Sequence, residues 1–402
     1  MEIAFFSETY LPTPDGVAHE VSGLARALDR LGHHVRVFTT NPVVGARPER
    51  TEIDGIEVVR VRSLPVPLYP QYRWALFPFP QLRGEGFGTD VDVIHLHTPG
   101  VMGGAAFLTA RHFDKPLVGT FHTNVWEMRR SFSDHPLVGL FFRAAWWFTL
   151  GTYWRCDLAT APTEAARSTL RDHARRPFRR PIEVVPNGIE VDRFRPGVDR
   201  PDWRERCGLP RGPLVTYLGR LTIDKGVHRF LDGVARMDLE TDFSAAVAGA
   251  GPEEPAVRER IRTERGLAGR VRYLGPVAEE EKAALLSQSD VFVLPSTSDT
   301  SSVALLEAMA SGCACLVSCL GGPGEMVVDG STGRLFDPRS SDQLPERLGE
   351  LLDDASRRRA IAARGLAEVR RTSSIEQTAR RFISLYELLL SEKAGRAVGD
   401  PR

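Results

Sequence analysis

Lysine is nearly absent from this chain of 402 residues: only four of the 52 basic residues (Lys115, Lys225, Lys282 and Lys393) are lysine, so 48 are arginine. A GC-rich genome accounts for that bias without any function, which makes each retained lysine a position to explain. Net charge is missing too. The 52 acidic residues balance the 52 basic ones, whereas a nucleic-acid binder would carry a basic excess. Cysteine is sparse and odd in number, five with no CxxC pair. That excludes a disulfide scaffold, argues against a metal site, and reads as reduced, buried thiols, with Cys313, Cys315 and Cys319 crowding one short apolar segment. No apolar run approaches the roughly 18 residues that a bilayer-spanning helix needs, and Met1–Phe6 lacks the basic start and apolar core of a leader. The expectation is a cytoplasmic protein, soluble or at most lying on the inner face of a membrane. Walker A, HExxH and GxSxG patterns are also absent. Gly249-Ala-Gly251-Pro252 spoils the dinucleotide fingerprint by placing proline where a helix should begin, so NAD chemistry and P-loop phosphoryl transfer lose support.

What is present is enough apolar material for sizeable cores, 42% of the chain, in short strands that alternate with amphipathic helices, the pattern of doubly wound α/β proteins. Glu2–Ser7 reads as a strand, Gly16–Leu31 as a helix with Val17, Val21, Leu24, Leu28 and Leu31 on one face, and Val35–Thr40 as the next strand. Val91–His97, Leu117–His122, Leu158–Ala161 and Ile182–Pro186 continue the series. The stretch Asp192–Pro213 holds four prolines (Pro196, Pro201, Pro210, Pro213) and little periodicity, so it contains the linker. A second series follows in Leu214–Leu218, Ser244–Ala248, Val271–Leu274, Val291–Leu294 and Ala314–Ser318. Ala360–Val369 and Ile375–Leu390 are helical in period. The expected architecture is two Rossmann-like domains facing across a cleft, residues 1–195 and 196–373, with 374–402 a C-terminal helix returning to the first.

Open α/β sheets bind ligands at the carboxyl ends of their strands, and three clusters lie at such ends. Gly219-Arg220-Leu-Thr-Ile-Asp-Lys225-Gly226 brings two cations to a helix start near Val227. It suits a diphosphate, because arginine offers a fork, lysine a point charge, and the free N–H groups a positive end. A solvated loop in an arginine-rich chain is the plainer reading of Arg220 alone. In Ser296-Thr-Ser-Asp299-Thr-Ser301-Ser302-Val303-Ala-Leu-Leu-Glu307, two carboxylates eight residues apart flank a helix start, so both can border one cleft and accept bonds from sugar or ribose hydroxyls. An N-cap aspartate and an ordinary exposed glutamate would look the same. His95 and His97 share one face of a strand, and with no third ligand at suitable spacing they read as packed imidazoles. His122 ends the next strand and points toward the cleft.

Taken together and in order, Pro12-Thr-Pro-Asp-Gly16-Val, Gly119-Thr-Phe-His122-Thr, Pro186-Asn187-Gly188-Ile, Gly219-Arg220-Leu with Lys225-Gly226, Gly249-Ala-Gly251-Pro252 and Leu305-Leu-Glu307-Ala-Met-Ala with Gly312 resemble retaining glycosyltransferase family 4, of the GT-B fold. The match spans nearly the whole chain. The resemblance implies that Gly16 approaches the donor phosphates through its backbone, that Arg220 and Lys225 hold the diphosphate, that Glu307 binds the nucleotide ribose, and that His122 contacts the transferring sugar. It adds Asn187, Gly219, Gly249, Gly251 and the helix start at Ser301, Ser302 and Val303 to the donor site, and Asp299 to the catalytic set. One motif departs: where the family usually has Glu followed by Gly-Phe-Gly, this chain has Asp299-Thr-Ser301-Ser302. The Asp-Thr start and Pro65-Val-Pro-Leu-Tyr69-Pro70 resemble the glycolipid-forming branch.

The implied activity is retaining transfer of a hexosyl unit from a nucleotide-diphosphate sugar, UDP- or GDP-linked, to a hydroxyl acceptor, with no cofactor and no metal ion. A lipid or lipid-linked acceptor is suggested by Trp126–Trp154, an aromatic stretch interspersed with Arg129, Arg130 and Arg143. It reads either as a buried helix or as a face laid on a membrane surface. A small soluble acceptor such as an aminocyclitol fits the same donor site. A nucleotide-sugar 2-epimerase shares the fold and would turn over the donor alone, and a nucleotide-sugar sensor would bind without turnover.

Overall fold

A computed structural model gives the conformation of residues 1–13, 15–66, 69–76, 78–79, 90–125, 136–174, 176–198, 203–238 and 242–399. Their contacts divide into two compact units: the described residues of Met1–Trp126, Asp134–Gly188 and Ile375–Arg402 form one, and those of Ile189–Ser374 the other.

The first unit is built on strands β1 (Glu2–Phe6), β2 (His34–Thr40), β3 (Glu49–Ile53), β4 (Ile56–Val61), β7 (Val93–Leu96), β8 (Leu117–Thr120), β9 (Leu158–Ala161) and β10 (Glu183–Val184), with the short hairpin β5 (Ser63–Val66) and β6 (Tyr69–Ala75) beside them. The main sheet runs β10-β9-β8-β7-β1-β2-β4-β3 and is parallel except where β3 turns back along β4. Both faces are covered, which is why its central strands β7 and β8, and β1 from Ile3 onward, are buried along their length, while the edge strand β3 is polar. Ile3 and Phe5 face one side, where α1 (Gly16–Arg30) and the long α11 (Ile375–Gly399) supply Val21, Leu24, Leu28, Phe382 and Tyr386. Ala4 and Phe6 face the other, where α2 (Val101–His112) and α3 (Pro136–Trp154) supply Met102, Ala106, Trp146 and Leu150. Helix α1 starts where the sequence says it should, because Asp15 Oδ1 accepts the Ala18 N–H at 2.7 Å and caps it.

The second unit has strands β11 (Leu214–Leu218), β12 (Ser244–Ala248), β13 (Val271–Gly275), β14 (Val291–Leu294), β15 (Ala314–Ser318) and β16 (Arg334–Phe336), all parallel in the order β13-β12-β11-β14-β15-β16. Helices α5 (Val227–Ala235) and α9 (Gln343–Asp353) cover one face through Phe230, Leu231, Val234, Leu344 and Leu348, and α7 (Glu279–Ser287) and α8 (Val303–Ala310) the other through Leu285, Leu305 and Met309. Helix α6 (Glu254–Thr263) joins the first of these faces through Val257, and α10 (Ala355–Thr372) follows α9 in the chain; α4 (Glu164–Asp172) belongs to the first unit.

Four expectations need correction. The β3–β4 hairpin was not read from the sequence, although Asp54 (φ 52°) and Gly55 (φ 82°) make the two-residue turn that such a dipeptide favours; β16 was missed too, because it is only three residues long. The strand leading to His122 stops at Thr120, so His122 stands two residues past it. Cys319 is exposed and Cys207 half-buried, while Cys156, Cys313 and Cys315 are buried; the apolar run leaves the sheet after Ser318, and the thiol leaves with it. Residues 126–135 of the aromatic stretch, Pro201 of the linker and residues 67–68 of the Pro65–Pro70 segment lie outside the described residues.

Phe382 is fully buried on α11 against the β-sheet face that carries His95, its ring 4.9 Å from that imidazole. Phe382→Ala is expected to cost about 3–5 kcal/mol, read as an earlier urea transition of the first unit, with the second unit's transition unmoved.

Candidate active site

In a parallel sheet whose first strand lies in the middle, the loops leaving the two central strands run to opposite sides and leave a crevice. In the second unit those strands are β11 and β14. The loop after β11 is tied down by its backbone: the Gly219 N–H donates to Ala248 O at 3.1 Å and the Leu221 N–H to Ala250 O at 2.9 Å, while the Tyr217 hydroxyl donates to Arg220 O at 2.9 Å. A single 3-10 turn, Ile223–Lys225, then ends at Gly226 with φ 74°, where a Cβ would sit 2.5 Å from Pro295 O. Only glycine lets this loop meet the one after β14. Gly249 and Gly251 answer the same need one strand over, since a Cβ on either would strike Gly219 O or Leu221 O at 1.9 and 2.3 Å.

The two loops are stitched across the crevice. Asp224 accepts the Ser298 hydroxyl at 3.2 Å and the Thr297 N–H at 3.3 Å, and the Lys225 ammonium is ion-paired with Asp299 Oδ1. Asp299 in turn accepts the Gly322 N–H on its carbonyl at 2.9 Å. Just beyond, Ser302 Oγ accepts the Leu305 N–H at 3.2 Å and caps α8, whose first residue is Val303; the Ser301 hydroxyl reaches the Met326 sulfur at 3.7 Å. The second unit therefore gathers Gly219, Arg220, Lys225, Gly249, Gly251, Asp299, Ser301, Ser302 and Val303 at one end of its sheet.

Glu307 departs from expectation. It is neither an exposed residue nor an open carboxylate: its side chain is 5% exposed and bonded to Lys282 Nζ at 2.6 Å, with Glu279 a further 2.9 Å partner of that ammonium. The cause is the packing of α8 on α7, which turns both side chains inward. Burial alone would lower the Lys282 pKa, but Glu307 and Glu279 outweigh it and hold the group above the ordinary lysine value. Lys282 is a residue the site reading passed over, although the scarcity of lysine had singled it out.

The first unit has its own crevice, between β1 and β7. Glu8 from the loop after β1 takes the Met102 N–H of α2 on Oε1 at 2.7 Å and the Thr98 hydroxyl on Oε2, while its own N–H donates to Thr98 Oγ1 at 2.7 Å. Burial pushes its carboxyl from 4.5 up to about 7, against the pull of these hydrogen bonds. Nothing in the sequence reading marked Glu8, whose only signal is a carboxylate directly after an apolar strand. His95 is inert, one nitrogen meeting the Tyr386 hydroxyl and the other Thr120 Oγ1, each at 2.7 Å. His122 is buried, with Nε2 3.1 Å from His97 Nδ1 and Nδ1 2.9 Å from Glu20 Oε2. Glu20 belongs to α1, one turn after Gly16, which is exposed at the helix start. Asn187 follows β10 at the sheet edge, and its buried Oδ1 has no hydrogen-bond partner among the described residues. Among the described residues no three His, Cys, Asp or Glu side chains are grouped to hold a metal ion.

Comparison with known proteins matches this geometry to a family. The model for "Glycosyltransferase Family 4" matches residues 14–193 and that for "Glycosyl transferases group 1" residues 199–367. A GDP-mannose-dependent alpha-mannosyltransferase of Mycolicibacterium smegmatis is 30% identical over 399 residues, covering 99% of this chain and all of the relative. The chain belongs to glycosyltransferase family 4. An alpha-monoglucosyldiacylglycerol synthase of Streptococcus pneumoniae is 26% identical over 320 residues, 78% of this chain and 70% of that one. Among solved structures, a sucrose-phosphate synthase from Thermosynechococcus elongatus superposes with a TM-score of 0.78 at 20% identity, covering 98% of this chain and all of its own. The fold of this glycosyltransferase is therefore GT-B.

The raised carboxyl of Glu8 predicts a pH dependence of stability. Its folded-state pKa lies above its unfolded one, so the folded state binds the proton more tightly. The resulting stability is fully present below about pH 4.5 and is lost as pH rises through about 7. On the order of 3 kcal/mol is at stake. Glu8→Gln should flatten the thermal-unfolding midpoint between pH 5 and 8 and exceed the wild type at pH 8; parallel profiles would show that Glu8 ionises freely.

Proposed function

We propose that this glycosyltransferase moves a hexosyl unit from a nucleotide-diphosphate sugar to the hydroxyl of a lipid or lipid-linked acceptor, with retention at the anomeric carbon and no metal ion. The observation that carries the reading is the meeting of Lys225 and Asp299 at the β11/β14 crevice. Two charges that satisfy each other there are placed to exchange partners: diphosphate oxygens take the ammonium, and sugar hydroxyls take the carboxylate. Arg220 and the N-terminus of α8 at Ser301–Val303 add positive ends toward the same diphosphate. Glu307, its charge held by Lys282, receives the ribose hydroxyls. In the first unit, His122 is the residue assigned to the transferring sugar and Gly16 the one assigned to the donor phosphates.

The chemistry follows from those charges. As the bond from C1 to the diphosphate oxygen lengthens, negative charge grows on the leaving group, and donors fixed in advance stabilise it more than they stabilise the ground state. The acceptor oxygen bonds to C1 on the face the diphosphate leaves, and its proton passes to a diphosphate oxygen, so configuration is retained. For the donor, GDP-mannose is favoured by the names of the mannosyltransferase relatives, and for a lipid acceptor the diacylglycerol-modifying relative argues the same way.

The acceptor side rests on α3. Phe142, Trp146, Leu150 and Tyr153 are buried, so one face of this helix is core. Leu137, Leu140, Phe141, Trp147 and Phe148 are exposed on the rest of it, and Trp74 of β6, itself exposed, lies 6.3 Å from Phe141. Helix α3 contains no acidic residue, and Arg143 is exposed among these rings. An apolar face with an exposed arginine and no acidic residue fits the headgroup layer of an anionic membrane; among the described residues no helix is long and apolar enough to cross one.

The test is turnover with UDP-, GDP-, ADP- and TDP-sugars on anionic vesicles carrying a hydroxyl lipid, with EDTA present, and the product anomer read by proton NMR. We expect a retained configuration and undiminished rate; an inverted product, or activity abolished by EDTA and restored by Mg²⁺ or Mn²⁺, would remove the mechanism. Lys225→Ala should lower kcat/KM roughly 10²–10³-fold, the loss of one preorganised donor worth about 2.7–4 kcal/mol. Lys225→Arg should recover part of it, since a fork does not replace a compact ammonium. A Lys225→Ala enzyme within about threefold of wild type, under 1 kcal/mol, places the lysine outside the phosphate site.

A further inference from the structure

Glu20 is a carboxylate inside the core, 5% exposed, the one ionisable side chain among the buried residues of its helix, which include Ala18, Val21, Ser22, Leu24, Ala25 and Leu28. A charge there is costly unless something answers it. What stands before it is the His122 ring, with Nδ1 2.9 Å from Oε2 and both side chains at least 96% buried. The approach lies off the line of a straight N–H···O bond, so the contact is one of charge and dipole more than of direction. On the other side of the ring, His122 Nε2 is 3.1 Å from His97 Nδ1.

We propose that Glu20 is a positioning residue for His122, fixing its proton on Nδ1 and leaving Nε2 as a lone pair for the substrate. The assignment closes on itself. With the one ring proton of His122 on Nδ1, Nε2 can only accept, so His97 must donate from Nδ1. His97 is neutral, because burial and the neighbouring His95 and His122 push its pKa well below the ordinary histidine value. A neutral His97 that donates from Nδ1 has a bare Nε2, and that atom is buried with no hydrogen-bond partner among the described residues. The His97 ring packs edge-on to Phe5, 4.5 Å between centroids. The row therefore runs Glu20 carboxylate, His122 N–H, His122 lone pair, His97 N–H. When a substrate hydroxyl arrives, it takes the place of the His97 donor at Nε2 and finds an acceptor of fixed tautomer. Histidine tautomers are commonly set in this way by the group behind the ring.

The proposal rests on the reading of His122 as a residue of the sugar site, and its test separates the two. Glu20→Gln keeps shape and loses charge, while Glu20→Ala removes the partner. Both should lower kcat roughly 10- to 100-fold, the scale on which partners behind a working imidazole act, with donor KM within about twofold because the diphosphate residues are untouched. Nitrogen-15 spectra of histidine-labelled enzyme supply a readout that mere packing would not move: the wild type should show His122 protonated at Nδ1, and Glu20→Ala should shift the proton toward Nε2. A His122 signal identical in the two proteins, or both variants within threefold of wild-type kcat while His122→Ala loses turnover, overturns the proposal. Full turnover in His122→Ala would instead overturn its place in the sugar site, and the spectra would still decide the Glu20 pairing.

Discussion

A parallel sheet that begins with a central strand and adds neighbours first on one side and then on the other must part its loops at the place where the order reverses, and the loops that gather the candidate site residues depend on that parting. It happens twice, between β1 and β7 and between β11 and β14. At the second crevice the chain spends glycine on bringing loops close and charge on what faces outward. Gly226 and Gly249 admit neighbouring carbonyls to distances that no side chain would permit, and Lys225 and Asp299 then meet across the gap.

The interior charges obey a common rule. Each buried carboxylate of interest is answered by a group on a neighbouring element: Glu8 by a helix N–H and a hydroxyl, Glu20 by an imidazole, Glu307 by an ammonium. The answers differ in strength, and the proton follows the difference. Two hydrogen bonds do not offset the desolvation of Glu8, whose carboxyl holds its proton up to about pH 7, whereas the carboxylates around Lys282 keep that ammonium charged in spite of its burial. Buried pairs of this kind contribute little net stability and are expensive to break, so what they supply here is a fixed orientation of the groups they join.

Much of this was legible in the sequence, for identifiable reasons. Strands buried on both faces read as unbroken apolar runs, so Leu214–Leu218, Ser244–Ala248, Val291–Leu294 and Ala314–Ser318 fall where expected to the residue. Helix starts were legible where a side chain caps them, as at Asp15 and Ser302. The β3–β4 hairpin was lost because Glu49–Ile53 lies on an edge and is polar, and Asp54-Gly55 went unweighed as a turn. The environment of Glu307 was not legible, since it depends on how α7 and α8 pack, and no spacing along one helix reports what a second helix brings. Glu20 was invisible for the same reason: its partner is 102 positions away in the sequence.

The chain enters the second unit at Ile189 and leaves it at Ser374, and those two ends are bridged, with the Ile189 N–H donating to Ser373 O at 3.0 Å. The second unit is thus an insertion, a loop of 186 residues let into the first unit between β10 and α11. A polypeptide inserted in this fashion has neighbouring termini and a continuous sequence, the two properties that allow a domain to be cut out, closed into a ring or reopened elsewhere without rebuilding its sheet. The first unit has no such freedom. Its final helix can join α1 only after the whole insertion has been synthesised, so on the ribosome the half that begins the chain is the half that finishes folding last.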